Sequence, residues 1–250
     1  MNEPKTLKTT GSTGGLVVIT EKLPHVRSIA LGVSYALGSR DDPQGQEGIC
    51  HLIEHMVFKG TETMSGKEIS IAAESHGAEL NAFTDREATC FYGRFPADQS
   101  GPVTRLLAEV VSRPGFDPAE LEKEKNVIAE EIRATEEDPE AQAVNLLFRA
   151  VYGEQPMGRP IAGTCGSLGQ ISRSHLFDFF RAHYGTGCSV VVAAGDVEHD
   201  QLVELLTPAL TVNSGCRQPA RQRAVVRPPA SAVQSRPDIS QVHVCMARPG

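Results

Sequence analysis

Two histidines and a glutamate stand close together in Gly48-Ile-Cys-His51-Leu-Ile-Glu54-His55-Met-Val-Phe58. Read as a helix at ~100° per residue, this stretch sends Ile49, Leu52, Ile53, Met56 and Val57 to one face. With Ile49 at zero, Glu54, His51 and His55 fall near ~140°, ~200° and ~240°, so all three point away from the core in one direction. His51 and His55 lie one turn apart, a separation that suits two imidazole nitrogens on one tetrahedral zinc ion. Glu54, beside them, can act as general base toward a water activated at such a metal. With eight histidines in the chain, His-x-x-Glu-His is expected by chance roughly 0.02 times. The competing reading is an ordinary solvated helix face; two histidines at i and i+4 with an acid between them favour the metal.

Zinc needs a third protein ligand and keeps a fourth position for water. The spacing predicts a helix over 117–136, with Asp117 as N-cap ahead of Pro118. Its apolar stripe is Leu121, Val127, Ile128 and Ile132. Taking Leu121 as zero, Glu124 falls at ~300° and Glu131 at ~280°, on the shoulder of that stripe, while Glu130 falls at ~180°, nearly opposite. Glu124 and Glu131 therefore lean inward, two turns apart. Carboxylates there cost desolvation unless something cationic meets them, and a metal with its histidines would do so. Glu120, Glu122 and Glu130 read as a charged outer face.

The elements that must position these residues are legible around them. Residues 15–20 and 26–37 read as strands, 38–45 as a loop, and 47–58 as the histidine helix. Ser65-Gly-Lys-Glu68 resembles a capping box opening a helix that ends near Gly77. Residues 78–95 read as two strands joined at 84–86. Helices are expected near 99–112, 139–152, 172–183 and 198–210, with a buried strand over 189–194. The glycines of Gly163-Thr-Cys-Gly166-Ser-Leu-Gly169 lack the strand and the Lys-Ser/Thr of a phosphate loop and read as a plain loop. Residues 213–237, rich in Arg, Pro, Ala, Gln and Ser, read as a solvated tether. Gln241-Val-His-Val-Cys-Met246 then reads as a fresh strand. The remaining histidines, His25, His76, His175, His183, His199 and His243, are expected to be surface or satisfied core residues.

Composition bounds the partners. The chain has 250 residues, 40% hydrophobic and 22% charged, as in ordinary globular proteins. Its net charge of −7 argues against a general nucleic-acid binder, and it has no tryptophan for a stacking platform. No apolar run approaches the ~20 residues of a membrane span, so no membrane partner is expected. The six cysteines form no CxxC pair; Cys50, Cys90, Cys188 and Cys245 lie in apolar runs and read as small core hydrophobes. Without an export signal, a reducing cytoplasm is the expected location.

Several blocks together resemble the inverzincins of the pitrilysin, insulin-degrading and mitochondrial-processing peptidase family, whose signature inverts the usual His-Glu-x-x-His order. They are Gly38-Ser-Arg-Asp-Asp-Pro43 with the histidine helix through Thr61; Gly77-Ala-Glu-Leu-Asn-Ala-Phe-Thr84 with Arg86-Glu-Ala-Thr-Cys-Phe-Tyr92; Glu122 to Ile132; Pro156-Met-Gly-Arg-Pro-Ile-Ala-Gly-Thr164; and Val190-Val-Val-Ala-Ala-Gly-Asp196. The match covers about residues 15–210. The resemblance implies an α+β fold, an antiparallel-rich mixed sheet covered by helices, and one half of a two-repeat architecture. It implies a zinc metalloendopeptidase acting on extended peptides, with one zinc per chain on His51, His55 and Glu131 and with Glu54 as catalytic base. In the family pattern the glutamate ligand lies seven residues after an earlier glutamate; helix geometry selected the same pair, and Glu124 becomes the residue that steadies the site. Asn81, Ala82 and Phe83 resemble the edge strand onto which the family's substrates add. The domain reading is a catalytic domain over 1–212, a linker over 213–237 and the start of a second homologous domain over 238–250, with that half or a partner subunit expected to complete the site. The rival class is a non-catalytic or inert half that scaffolds a partner; loss of the His-x-x-Glu-His residues would mark it, and they are present.

Overall fold

The computed structural model describes residues 7–11, 15–210, 216–228, 231–237 and 239–248. A six-stranded sheet forms its centre: β1 (Leu7–Gly11), β2 (Val17–Lys22), β3 (Ser28–Tyr35), β4 (Glu79–Thr84), β5 (Thr89–Pro96) and β6 (Ser189–Gly195), in the order β1-β2-β6-β3-β5-β4. β2 and β6 run parallel; the other pairings are antiparallel, so the sheet is mixed and antiparallel-rich.

Strand alternation gives the sheet one covered and one open face. Ile29, Leu31, Val33 and Tyr35 of β3, Phe91 and Phe95 of β5, and Val191 and Ala193 of β6 are buried. Val190 and Val192 of β6 and Phe83 of β4 lie exposed on the other side. Helices α1 (Ile49–Val57), α2 (Gly66–Ser75), α3 (Ser100–Ser112), α4 (Pro118–Glu137), α5 (Pro139–Tyr152), α6 (Cys165–Gln170), α7 (Arg173–His183) and α8 (His199–Leu210) complete the described domain. α3 packs on β5 and on α8, α8 on β2, and α1 on β4, β5, α4 and α7. No helix among the described residues is long and apolar enough to cross a membrane.

Local signals start and stop these elements where the sequence predicts. Ser65 accepts from the Glu68 N–H while Glu68 reaches back to the Ser65 N–H, the reciprocal pair that satisfies two free donors at the start of α2. Asp117 caps α4 through the N–H groups of Ala119 and Glu120, with Pro118 at the first helical position. His199 is a satisfied core histidine: its ring nitrogens meet the hydroxyls of Thr20 at 2.9 Å and Thr10 at 2.6 Å.

Other expectations are corrected. Residues 163–169 are not a plain loop, because Thr164 caps a short helix, α6, in a reciprocal pair with Ser167. β1 carried too little apolar alternation to be read as a strand; its ladder to β2 holds it. Cys245 is exposed and Cys90 half-buried, so only Cys50 and Cys188 of the four behave as buried hydrophobes. Val127 is exposed rather than part of the α4 stripe. Residues 241–246 form no strand and lie exposed, since no strand edge among the described residues pairs with them. The supposed tether is not free: its described residues 216–228 lie along the domain surface without helix or strand. Arg217 N–H donates to Ala182 O, Arg221 binds Asp41, and Arg227 N–H donates to Val151 O. Residues 213–215, 229–230, 238, 249 and 250 of the linker and second-domain expectations lie outside the described residues.

Candidate metal centre

α1 buries Ile49, Leu52, Ile53, Met56 and Val57 completely, which fixes the roll of the helix and turns His51, Glu54 and His55 the other way. Its start is fixed as firmly. Gly48, the N-cap, has φ +97°, and a Cβ there would stand 2.4 Å from the Ala162 carbonyl oxygen, so only glycine lets residues 162–163 close over the helix end. The buried Asp42 carboxylate accepts the Gly48 N–H at 2.7 Å and the Cys50 N–H at 3.2 Å, satisfying donors of the first turn. Burial pushes the Asp42 carboxyl up to about 7, against the pull of those hydrogen bonds.

α4 crosses beside α1, burying Leu121, Glu124, Ile128 and Ile132. The His51 and His55 rings lie 4.7 Å apart. Glu131 Oε2 stands 3.6 Å from His55 Nε2 and 4.0 Å from His51 Nε2. One ligand atom from each of these three residues lies within 4.8 Å of the others, the separation at which three donors can share one ion. His55 spans two turns of α4. While Nε2 faces Glu131, Nδ1 meets Glu124 Oε2 at 3.1 Å, which fixes the ring's orientation and leaves Nε2 as its free lone pair.

The two glutamates have different surroundings. Glu124 is buried, its side chain 5% exposed, and its second oxygen takes Lys59 Nζ at 2.7 Å. Glu131 is 46% exposed on its side chain, further out than the inward lean expected from helix angle. The cation that meets Glu124 is therefore Lys59, acting with His55. Glu130 points outward and pairs with Arg133.

Electrostatics suit the site for holding a cation. Burial, and after it the charge of His55, lower His51 to about 4, so its imidazole is neutral at neutral pH and offers a lone pair. His51 Nδ1 and Glu54 Oε2 are buried with no hydrogen-bond partner among the described residues. Burial raises the Glu54 pKa, opposed by the neighbouring Thr84 and by His55. Two imidazoles and one carboxylate within reach of one ion are a donor set that zinc fits.

Of the sequence-predicted residues, the structure brings His51, Glu54, His55, Glu124 and Glu131 into one cluster and places Asn81, Ala82 and Phe83 on β4, the outer strand beside α1. Sequence reasoning missed Lys59, Asp42 and Thr84. Lys59 could have been found, since it follows His55 by four residues along the same line; Asp42 and Thr84 reach the site only through folding.

Comparison with known proteins bears on this site. The model of insulinase (peptidase family M16) matches residues 17–165. An uncharacterized zinc protease of Streptomyces coelicolor is 31% identical over 252 residues, covering 98% of this chain and 55% of that protein. An uncharacterized zinc protease of Mycobacterium leprae is 38% identical over 193 residues, covering 77% of this chain and 43% of that one. The chain thus spans about half the length of the curated relatives it matches. A solved structure, the peptidase M16 inactive domain from Pseudomonas fluorescens, shares the fold with a TM-score of 0.79 at 22% identity, over 90% of this chain and 54% of that one.

Proposed function

Since the chain belongs to the insulinase family of peptidases, we propose that it is the zinc-holding half of a metalloendopeptidase that hydrolyses extended or unfolded peptide segments. The observation that carries this reading is the meeting of His51, His55 and Glu131 within 4.8 Å, with Glu54 on the same helix face. His51, His55 and Glu131 hold one zinc ion per chain. Zinc bound there supplies Lewis acidity, polarising the scissile carbonyl and bringing a water's pKa toward ~7. Glu54 takes the proton from the attacking water and returns it to the leaving amine; its burial keeps its basicity above that of an exposed carboxylate. Glu124 steadies His55 from behind, and Lys59 pairs with Glu124 in its buried position.

The peptide lies along β4. In an antiparallel edge strand, alternate residues turn their backbone groups away from the sheet. Ala82 N–H donates to the Asn81 side-chain oxygen at 2.8 Å, which marks residue 82 as outward-facing. By alternation Leu80 and Thr84 face outward with it, and Thr84 adjoins Glu54. A substrate strand that displaces Asn81 from Ala82 is led toward the catalytic carboxylate, with Phe83, 51% exposed, offering apolar contact. A second homologous half, in the same protein or as a partner subunit, closes the site and supplies oxyanion donors, a contribution of several kcal/mol to catalysis.

The test is metal content and cleavage of an unstructured fluorogenic peptide, with the second half of a relative titrated against a fixed amount of this chain. The zinc-loaded chain should cleave weakly alone and faster, to saturation, with the added half. Glu54→Gln should keep zinc and lose roughly 10²–10⁴ in rate. Wild-type turnover by zinc-loaded Glu54→Gln would overturn the assignment of the base.

A further inference from the structure

Two cysteines far apart in the chain meet just ahead of β6. Cys188 closes the 3₁₀ turn Thr186–Cys188 ahead of β6 and is buried, its carbonyl accepting the Ala36 N–H at 3.2 Å. Cys216 opens the segment described over 216–228, and its Sγ lies 2.6 Å from Cys188 Sγ. Gly187 lies directly against the pair, since a Cβ there would stand 3.4 Å from the Cys216 sulfur.

The approach is held by contacts of the residues that follow Cys216, none of which involves sulfur. Next to Cys216, Arg217 N–H donates to Ala182 O at 2.8 Å and Arg217 O lies 2.8 Å from His183 Nδ1. Further along, Arg221 reaches the Asp41 carboxylate and the carbonyls of Ala36 and Glu87, and Arg40 donates to Gln222 O. Gln155 pairs with both backbone groups of Val225, and Arg227 N–H donates to Val151 O. The segment is a strap running from the end of α7 to α5, and it passes Asp41, the neighbour of the Asp42 that caps α1.

We propose that Cys188 and Cys216 are a redox pair whose oxidation to a disulfide fastens this strap to the base of β6, and whose reduction leaves it held by hydrogen bonds and ion pairs alone. A small-molecule disulfide such as oxidised glutathione is the oxidant. Cys216, half-buried and therefore the accessible partner, attacks as thiolate; a bond forms from its sulfur to glutathione and one glutathione thiolate leaves. Cys188 then gives up its proton and attacks the Cys216 sulfur, and the second glutathione leaves as the thiol. The two cysteines are oxidised by two electrons and the glutathione disulfide is reduced to two thiols. The burial of Cys188, which also pushes its thiol pKa up, assigns it the resolving rather than the initiating role. Such a pair stays reduced in a reducing compartment and closes on oxidative challenge.

The test uses the full chain in mixtures of reduced and oxidised glutathione. Proteolysis after glutamate, which cuts between the cysteines at Glu198 and Glu204, followed by mass spectrometry without reductant, should recover a cross-linked pair carrying Cys188 and Cys216. The closed loop of about 30 residues should raise Tm by roughly 10 °C, and amide exchange over 217–227 should slow. Cys216→Ser should abolish the cross-link, the Tm rise and the exchange change, while Cys165→Ser and Cys245→Ser, at exposed thiols, should alter none of them. Glutathione adducts at Cys165 and Cys245 with no 188–216 cross-link would overturn the pair. A cross-link that leaves exchange over 217–227 unchanged would overturn its role in fastening the strap.

Discussion

Replacing Glu124 by glutamine tests how the buried side of the site works. The change is nearly isosteric but removes a charge from a carboxylate that is 5% exposed and touches two donors, His55 Nδ1 at 3.1 Å and Lys59 Nζ at 2.7 Å. A glutamine that gives its oxygen to Lys59 turns its NH2 toward His55 Nδ1, which faces it as a donor unless the imidazole shifts its proton to Nε2, the nitrogen a metal needs free; giving the oxygen to His55 instead leaves Lys59 facing the NH2. An unmet buried group costs about 1–3 kcal/mol. Lys59 is 38% exposed and can turn to water, which discounts the loss to about 1–2 kcal/mol. For a domain of this size that corresponds to a fall of roughly 2–8 °C in the Tm of the metal-free chain, read by circular dichroism. The effect on metal is larger, because a histidine whose second nitrogen loses its carboxylate binds zinc about 10–100-fold more weakly. Competition against a calibrated chelator measures that ratio directly. Zinc affinity and metal-free stability both equal to wild type would refute the claim that Glu124 acts through His55.

The other expectations concern ligand identity, the helix cap and pH. Glu131→Gln should lower zinc content while Glu130→Gln, which loses only its surface pair with Arg133, should leave it unchanged; metal analysis after dialysis decides. Gly48→Ala should destabilise by about 1–3 kcal/mol in urea unfolding, because the new Cβ meets the Ala162 oxygen at 2.4 Å and φ is +97°. Asp42, raised to about 7, holds its proton in the folded state between about pH 4 and 7 while the unfolded chain has lost it. The stability of the metal-free chain should therefore fall as pH rises through that window, by up to about 4 kcal/mol from this group, and level off above it. Asp42→Asn, which cannot ionise, should flatten that slope, and an unchanged slope would show that the carboxyl ionises normally.

What could be read in the sequence was what depends on neighbours along the chain. The apolar face of α1, the capping box at Ser65 and the N-cap at Asp117 are all decided within two turns, and each forms where the spacing puts it. β1, a short threonine-rich run, exists because β2 offers it a ladder. The strap over 216–228 shows the same limit. Its arginines and prolines have no apolar period, and only the fold puts Asp41, Gln155 and Cys188 where that segment can bind them.

Glu124 and Glu131 show where helix geometry alone stops. Seven residues bring a helix almost back to the same angle, so the two glutamates are equivalent around the α4 axis. Along that axis they are ~10 Å apart, and this separation decides their chemistry. Glu124 falls where α1 covers α4, so it is buried and must be paired; Lys59 and His55 pair it. Glu131 falls two turns on, with half its side chain open, facing the free nitrogens of both histidines. A ligand must reach the open side of a site that also admits water and substrate, whereas a residue that orients a ligand works best shielded from both. Angle selected the pair, and the crossing of α1 over α4, a tertiary fact, divides the labour between them.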